Sequence, residues 1–304
     1  MRVIITGATG FIGKALTKEL VVADYEVIAL SRDQKITPFG EGVHIVEWDA
    51  RNAGAWTAYV DGSYAIINLA GENISSRRWT QKRKKAILES RLDAGKAIAE
   101  AVKQVDRKPK VVIQASAIGY YGSHPDEVLD ESSSPGLGFL SGVAQGWELS
   151  TKEVESYGVR HVIIRTGIVL GKEGGALPRL MQSFRFFVGG PLGSGKQWFS
   201  WIHLLDEARA IRFLMENENM RGVFNLTAPA PLVMKDFCRI LGKNMHRPCW
   251  LKIPGFMLRL IMGEMAQALL LSGQRVLPKR LLEAGYEFLY PEAELALKQI
   301  LNVA

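Results

Sequence analysis

Three glycines stand at a fixed interval in the string Thr6-Gly7-Ala8-Thr9-Gly10-Phe11-Ile12-Gly13. The β-branched run Val3-Ile4-Ile5 precedes them, and a helical pattern follows from Phe11. A G-x-x-G-x-x-G turn between a strand and a helix has the physical requirements of a dinucleotide site. Gly7 permits the tight turn, Gly10 lets the backbone approach a pyrophosphate, and Gly13 lets the helix pack closely on the strand. The amides of Phe11 and Ile12 then face the pyrophosphate at the positive end of the helix. The second strand selects the nucleotide. It reads Glu26-Val27-Ile28-Ala29-Leu30 and ends in Ser31-Arg32, with no acid where an NAD-selective site binds the ribose hydroxyls. Ser31 can hydrogen-bond a 2′-phosphate and Arg32 can pair with it, so the expected cofactor is NADP(H). Asp33 comes too late to point at the ribose.

Groups for proton transfer are sought beyond the strands that carry the nicotinamide end of such a cofactor. Ser116 and Tyr120, which follow the fifth strand, are the expected catalytic pair: a hydroxyl to orient a carbonyl, and a phenol to pass a proton. Tyr121 offers the same chemistry or simply packs the loop. Glu72 either meets substrate and ribose or is a surface acid. Arg91 is expected to reach back to the cofactor from a long helix. Arg78 with Trp79 could grip an anionic or ring-shaped substrate. His203 fits a structural histidine better than a titrating one. Cys238 and Cys249 stand in no C-x-x-C pair, so no metal site and no disulfide is expected, and free thiols point to a reducing, cytoplasmic setting.

The elements that must hold these groups alternate. Apolar runs Val3–Ile5, Val27–Leu30, Val43–Val46, Ala65–Asn68, Val111–Gln114 and Val162–Arg165 read as strands covered on both faces. Helical patterns lie at Phe11–Val22, Gln81–Val105 and Gly138–Tyr157. The βαβ alternation predicts an α/β fold, a Rossmann-type doubly wound parallel sheet. After Leu170 the texture becomes Gly- and Pro-rich, as in Gly189-Gly190-Pro191-Leu192-Gly193-Ser194-Gly195. Helices are expected at Leu204–Met215, Met234–Leu241 and Pro254–Leu271. The division is residues 1–171, a cofactor-binding domain to which some later elements return, and 172–304, a smaller irregular lobe over the carboxyl edge of the sheet. The apolar stripes Phe184-Phe187-Val188 and Phe256-Met257-Leu260-Ile261 are expected to pack in the core, with the lining of a substrate pocket as the alternative.

The chain has 304 residues, 47% hydrophobic, with a net charge of +7. That suits one large α/β domain with an annex. The basic run Arg77–Lys85 has no accompanying zinc spacing or RNP-like aromatics, so no nucleic-acid partner is expected. Arg259 and Glu264 interrupt the most apolar late stretch, so no membrane partner is expected either. The partner is a small molecule.

The glycine turn resembles that of the short-chain dehydrogenase/reductase superfamily, extended branch. Asn68-Leu69-Ala70-Gly71, Gly119-Tyr120-Tyr121-Gly122, Arg165-Thr166-Gly167-Ile168-Val169-Leu170-Gly171, Trp201-Ile202-His203-Leu204-Leu205-Asp206 and Leu277-Pro278-x-Arg280 occur together. In that combination the chain is similar, over its whole length, to the atypical "epimerase family" proteins, sugar-nucleotide epimerase-like and without an assigned substrate. The resemblance implies that Leu69, Ala70 and Gly71 form a wall behind the cofactor, and that the backbone at Val169 meets the nicotinamide end. It also exposes a departure. The superfamily's Tyr-x-x-x-Lys aligns here, through Glu148, with Leu140 and Ala144, neither of which transfers a proton, and Ala117 takes the usual serine place. Two functions stay open: an NADP(H)-dependent oxidoreductase or epimerase on a small carbonyl or hydroxyl compound, and a non-catalytic NADP(H)-binding redox sensor or scaffold.

Overall fold

The computed structural model describes residues 1–33 and 40–302. Seven strands form one parallel sheet: β1 (Arg2–Thr6), β2 (Glu26–Ser31), β3 (Val43–Glu47), β4 (Ala65–Asn68), β5 (Val111–Ala117), β6 (Arg160–Thr166) and β7 (Gly222–Leu226). Their order is β7-β6-β5-β4-β1-β2-β3, so the winding reverses between β1 and β4. Side chains alternate between the two faces, and both faces are apolar. Val3 and Ile5 belong to one buried cluster and Ile4 to the other. The first cluster is covered by helix α1 (Phe11–Val22), and the second by α2 (Gln81–Gln104). Each fully buried Val, Leu or Ile contributes roughly 1.5–3 kcal/mol, so the long apolar runs fix this two-sided sheet.

Helix α3 (Phe139–Leu149) stops earlier than the hydrophobic period suggests. The hydroxyl of Ser150 donates to the carbonyl of Trp147 at 2.7 Å, and a short 3₁₀ turn, Lys152–Tyr157, replaces the expected helix end. This side-chain bond competes with the helical ladder.

The later half adds α4 (Leu177–Arg185), α5 (Leu204–Glu216), α6 (Met234–Met245) and α7 (Gly255–Met262). α5 and β7 return to the main sheet; Ile211 and Leu214 of α5 join the same cluster as Val3. The rest forms a lobe with its own core around Phe184, Phe199, Trp201, Phe237 and Leu297. Strand Gln274–Val276 pairs in parallel with His124–Leu129 and ties this lobe to the loop after β5. The expected helix Pro254–Leu271 is broken at Gly263, whose φ of +63° ends α7; a helical turn at Glu264–Ala266 and a wider π-helical turn at Gln267–Leu271 follow it. The stripe Phe256-Met257-Leu260-Ile261, expected in the core, is exposed instead: no residue of α7 is buried. Phe184 is buried as expected, while Phe187 and Val188 are not.

Candidate functional site

The glycine turn is built as its spacing requires. Gly7 sits at φ +69°, and a Cβ there would meet the carbonyl oxygen of Leu69 at 2.9 Å. A Cβ on Gly13 would lie 2.2 Å from the carbonyl oxygen of Gly7, closer than any backbone tolerates. The α1 ladder begins with the Lys14 N–H donating to the Gly10 carbonyl at 2.9 Å. The N–H groups of Phe11, Ile12 and Gly13 therefore have no acceptor within the helix. No side chain caps this end and no acid stands in its first turn. An uncapped, twelve-residue helix start behind a glycine cradle suits a diphosphate, so the chain fits a dinucleotide.

Leu69 and Ala70 abut this turn. Both donate their N–H to Thr6 Oγ1, at 3.1 and 3.2 Å. Thr6 Oγ1 donates to Asn68 Oδ1 at 2.6 Å, and Asn68 Nδ2 donates to Gln114 Oε1 at 2.8 Å. This buried polar chain locks the ends of β1, β4 and β5 together. It escapes the pattern reading, although a polar Asn and Gln inside apolar strands were its signal.

Ser31 ends β2, and Arg32 follows it. The Ser31 hydroxyl donates to the Asp33 carbonyl at 2.9 Å and accepts from the Asp33 N–H at 3.1 Å, closing a local turn. The Arg32 side chain is 72% exposed, with Glu72 Oε1 at 3.7 Å. Glu72 accepts from Arg83 Nη1 at 2.9 Å, and that bond above all holds its carboxyl below the usual range. Glu72 is thus ionised and faces two arginines.

Arg91 is buried. Its Nη1 donates to the carbonyls of Glu72 and Ile87, at 3.1 and 2.9 Å, and its guanidinium lies 4.6 Å from the centre of the Trp147 ring. Burial draws its pKa down to about 10, which still leaves it charged at neutral pH. A Cβ on Gly71 would come within 2.9 Å of its Cζ, so Gly71 makes room for it.

Beside Arg91 a cavity of about 190 Å³ opens at the carboxyl ends of β5 and β6. Leu140, Val143, Ala144 and Trp147 of α3 form one wall. The two positions aligned with the missing Tyr and Lys therefore do point at the cavity, and they are apolar. Ala117 and Thr166 form the floor, and Ala268, Leu269 and Ser272 close the far side. Arg91 is the charged residue of the lining. Ser200 and Gln274, also in the lining, are committed elsewhere: Ser200 Oγ donates to the Gln274 carbonyl and Gln274 Nε2 to the Ile118 carbonyl, both at 2.8 Å.

Thr166 differs. Its Oγ1 lies 2.7 Å from Oε1 of Glu207, a fully buried residue of α5. The second oxygen of Glu207 has no hydrogen-bond partner among the described residues. Burial, with no cation to offset it, pushes the Glu207 carboxyl up to about 8, so it carries a proton at neutral pH. Glu207 stands on the apolar stripe that Ile211 and Leu214 continue, a signal that sequence reading passed over.

The expected catalytic pair lies outside the cavity lining. Ser116 Oγ donates to Glu148 Oε1 at 2.7 Å. Glu148 in turn is held by Arg165, from Nε at 2.8 Å and Nη2 at 3.0 Å. The Arg165 guanidinium lies 3.3 Å from the centre of the Tyr120 ring, and its Nη1 donates to the Tyr121 hydroxyl at 3.1 Å. Tyr121 OH donates to Asn225 Oδ1 at 2.7 Å. Burial above all pushes the Tyr121 phenol up to about 12, which makes it a poor proton donor. Val169 is a core residue of the short strand Ile168–Leu170, in register with Ile202. Trp79 is also core: its Nε1 donates to the Ile74 carbonyl at 2.8 Å and its ring meets Phe139 edge-on, so it grips no substrate. His203 is structural, bonded to Gln299 at 2.9 Å, and burial lowers its pKa. Asp206 pins the C-terminal segment by accepting from the N–H groups of Leu289 and Tyr290, at 2.8 and 2.9 Å. Cys238 is buried, with its thiol pushed up to about 12 by burial. No group of potential metal ligands occurs among the described residues.

Residues 3–227 match the NAD dependent epimerase/dehydratase family, and residues 253–300 match a domain of unknown function, DUF1731. The chain is 39% identical to the epimerase family protein YfhF of Bacillus subtilis, over 99% of this chain and 98% of that one. It is 40% identical to the chloroplastic SDR39U1 homologue of Arabidopsis thaliana, over 99% of this chain and 87% of the relative. The crystal structure of the human epimerase family protein SDR39U1 with NADPH superposes with a TM-score of 0.89 at 34% identity, covering both chains fully.

Proposed function

The chain belongs to the NAD dependent epimerase/dehydratase family, and from that premise we propose that it is an NADP(H)-dependent oxidoreductase or epimerase acting on a small carbonyl or hydroxyl compound. The observation that carries the cofactor is the NADPH of the human relative, whose fold this chain reproduces over its whole length. When bound, the nicotinamide supplies hydride transfer. The chain's own residues supply position and a proton. Gly10 and Gly13 with the Phe11 and Ile12 amides hold the diphosphate. Arg32 takes the 2′-phosphate together with Ser31, which exchanges its bond to Asp33 for one to the phosphate. Leu69, Ala70, Gly71 and the Val169 backbone flank the cofactor, and Arg91 approaches it from α2.

The substrate occupies the cavity beside Arg91. Its apolar α3 wall favours a compact, mostly apolar compound, and the Arg91 charge favours an oxygen at one end. The proton passes through Thr166. Thr166 Oγ1 donates to Glu207 Oε1; when that hydroxyl turns its hydrogen to a substrate oxygen, it takes the Glu207 carboxyl proton in its place. Hydride to carbon and this proton to oxygen complete the reduction of a carbonyl, and Glu207 regains its proton through Thr166, which is partly exposed. Leu140 and Ala144 favour a second reading, a protein that binds NADP(H) without turning it over. Absorbance at the nicotinamide band, followed with NADPH and a panel of quinones, aldehydes and ketoses, separates the two. Consumption abolished by Thr166→Val supports the enzyme; full NADPH binding with no consumption across the panel supports the second reading.

A further inference from the structure

Helix α7 is almost wholly apolar, yet none of its residues is buried. Phe256 is 66% exposed and Leu260 77%. A second apolar segment, Phe186-Phe187-Val188, is also exposed, and Trp250, 71% exposed in the stretch that leads into α7, donates its Nε1 to the Phe187 carbonyl at 2.9 Å. A monomer rarely leaves so many large side chains together in water without a surface to meet.

The charge around this face is one-sided. No Asp or Glu occurs from Gly174 to Trp201 or from Phe237 to Gly263, while the two stretches contain eight Lys or Arg. Arg185, Arg247, Lys252 and Arg259 have no carboxylate partner among the described residues. The Arg247 guanidinium lies 4.6 Å from the centre of the Phe187 ring. Lys252 and Arg259 flank one groove with Gly193 and Leu271. Aromatic and aliphatic tips within a largely basic rim match the chemistry of an anionic lipid surface, in which apolar groups enter the acyl boundary and cations meet the headgroups. A second copy fits poorly, because a two-fold interface would set this basic rim against itself.

We infer that α7 and the Phe186–Val188 segment seat this chain on an anionic membrane surface. The contact is peripheral: no helix among the described residues is long and apolar enough to cross a bilayer. This departs from the sequence reading, which expects no membrane partner because a span would be costly; a surface contact needs no span.

Co-sedimentation of the full chain with vesicles tests this, using phosphatidylcholine alone against the same lipid with about a third phosphatidylglycerol. The expected result is binding to the anionic vesicles only, weakened by raised salt. The exposed pair Leu260→Glu with Ile261→Glu, and separately Lys252→Glu with Arg259→Glu, should each lower the bound fraction at least about tenfold, since both the apolar and the ionic terms are needed. NADPH affinity, measured on each variant, should be unchanged and reports that the fold is intact. No preference for anionic vesicles overturns the inference. So does a chain that sediments as a dimer which Leu260→Glu dissociates, or binding to RNA in place of vesicles.

Discussion

The Glu207→Gln variant is expected to be more stable than the wild-type chain at alkaline pH and no more stable in mild acid. The buried carboxyl is lifted from its ordinary 4.5 to about 8 by desolvation. A folded-state pKa above the unfolded one means that the native state binds the extra proton between these values. Its stabilising effect is full below about pH 4.5 and is lost as the pH rises toward 8. At about 1.4 kcal/mol per tenfold change, the loss is on the order of 5 kcal/mol. Glutamine keeps the shape, keeps an oxygen for the Thr166 hydroxyl, and never ionises. The difference between variant and wild type should therefore grow from near zero at about pH 5 to several kcal/mol at about pH 9, while other titrating groups cancel. Urea unfolding of both chains at a series of pH values reads it directly. A difference that stays constant with pH would mean that Glu207 has the same charge in both states and stores no buried proton. A variant less stable at every pH says that the amide is the worse fit and that no buried proton was stored.

Three further outcomes follow from the geometry. Gly13→Ala places a Cβ 2.2 Å from the Gly7 carbonyl oxygen and must displace the turn, so NADPH affinity by calorimetry should fall at least about 100-fold, as loss of several diphosphate hydrogen bonds would give. Glu148→Ala strands the buried Arg165 charge and should cost about 3–5 kcal/mol in urea unfolding, whereas apolar replacement of both partners should recover most of it. Cys238 should resist iodoacetamide in the native protein at about pH 8, because its thiol is buried and held near 12, and should react once urea unfolds the chain; mass spectrometry of the labelled peptide reports both.

How much was legible in the sequence depends on whether a feature is local. The glycine turn, β1, β2 and α1 follow from neighbouring residues and appear where the pattern puts them. β7 was missed because Gly222-Val223-Phe224-Asn225-Leu226 is short and mixes Gly and Asn into the run. The break at Gly263 depends on a left-handed backbone that apolar periodicity does not register. The exposure of α7 inverts the usual inference from an apolar stripe to a core, since no element among the described residues covers the stripe. The wall formed by Leu140 and Ala144 was legible from alignment, because α3 keeps its register to the sheet. The pairings that fill the site were not. Thr166 with Glu207 and Ser116 with Glu148 and Arg165 join residues far apart in sequence, and only packing brings them together. Ser116 and Tyr120 have the right chemistry and follow the right strand, yet Arg165 draws both into a network outside the cavity.

If Ser31 and Arg32 make this an NADP(H) site, calorimetric titration of the chain with NADPH and with NADH will show it. Charge-assisted hydrogen bonds to the 2′-phosphate are worth about 1.5–3 kcal/mol, which predicts at least a tenfold preference for NADPH. The preference should vanish in Arg32→Asp with thermal stability unchanged, because Arg32 is exposed and makes one long contact to Glu72. Equal affinity for the two nucleotides in the wild-type chain, or a preference that survives Arg32→Asp, would mean that Ser31 and Arg32 do not select the 2′-phosphate.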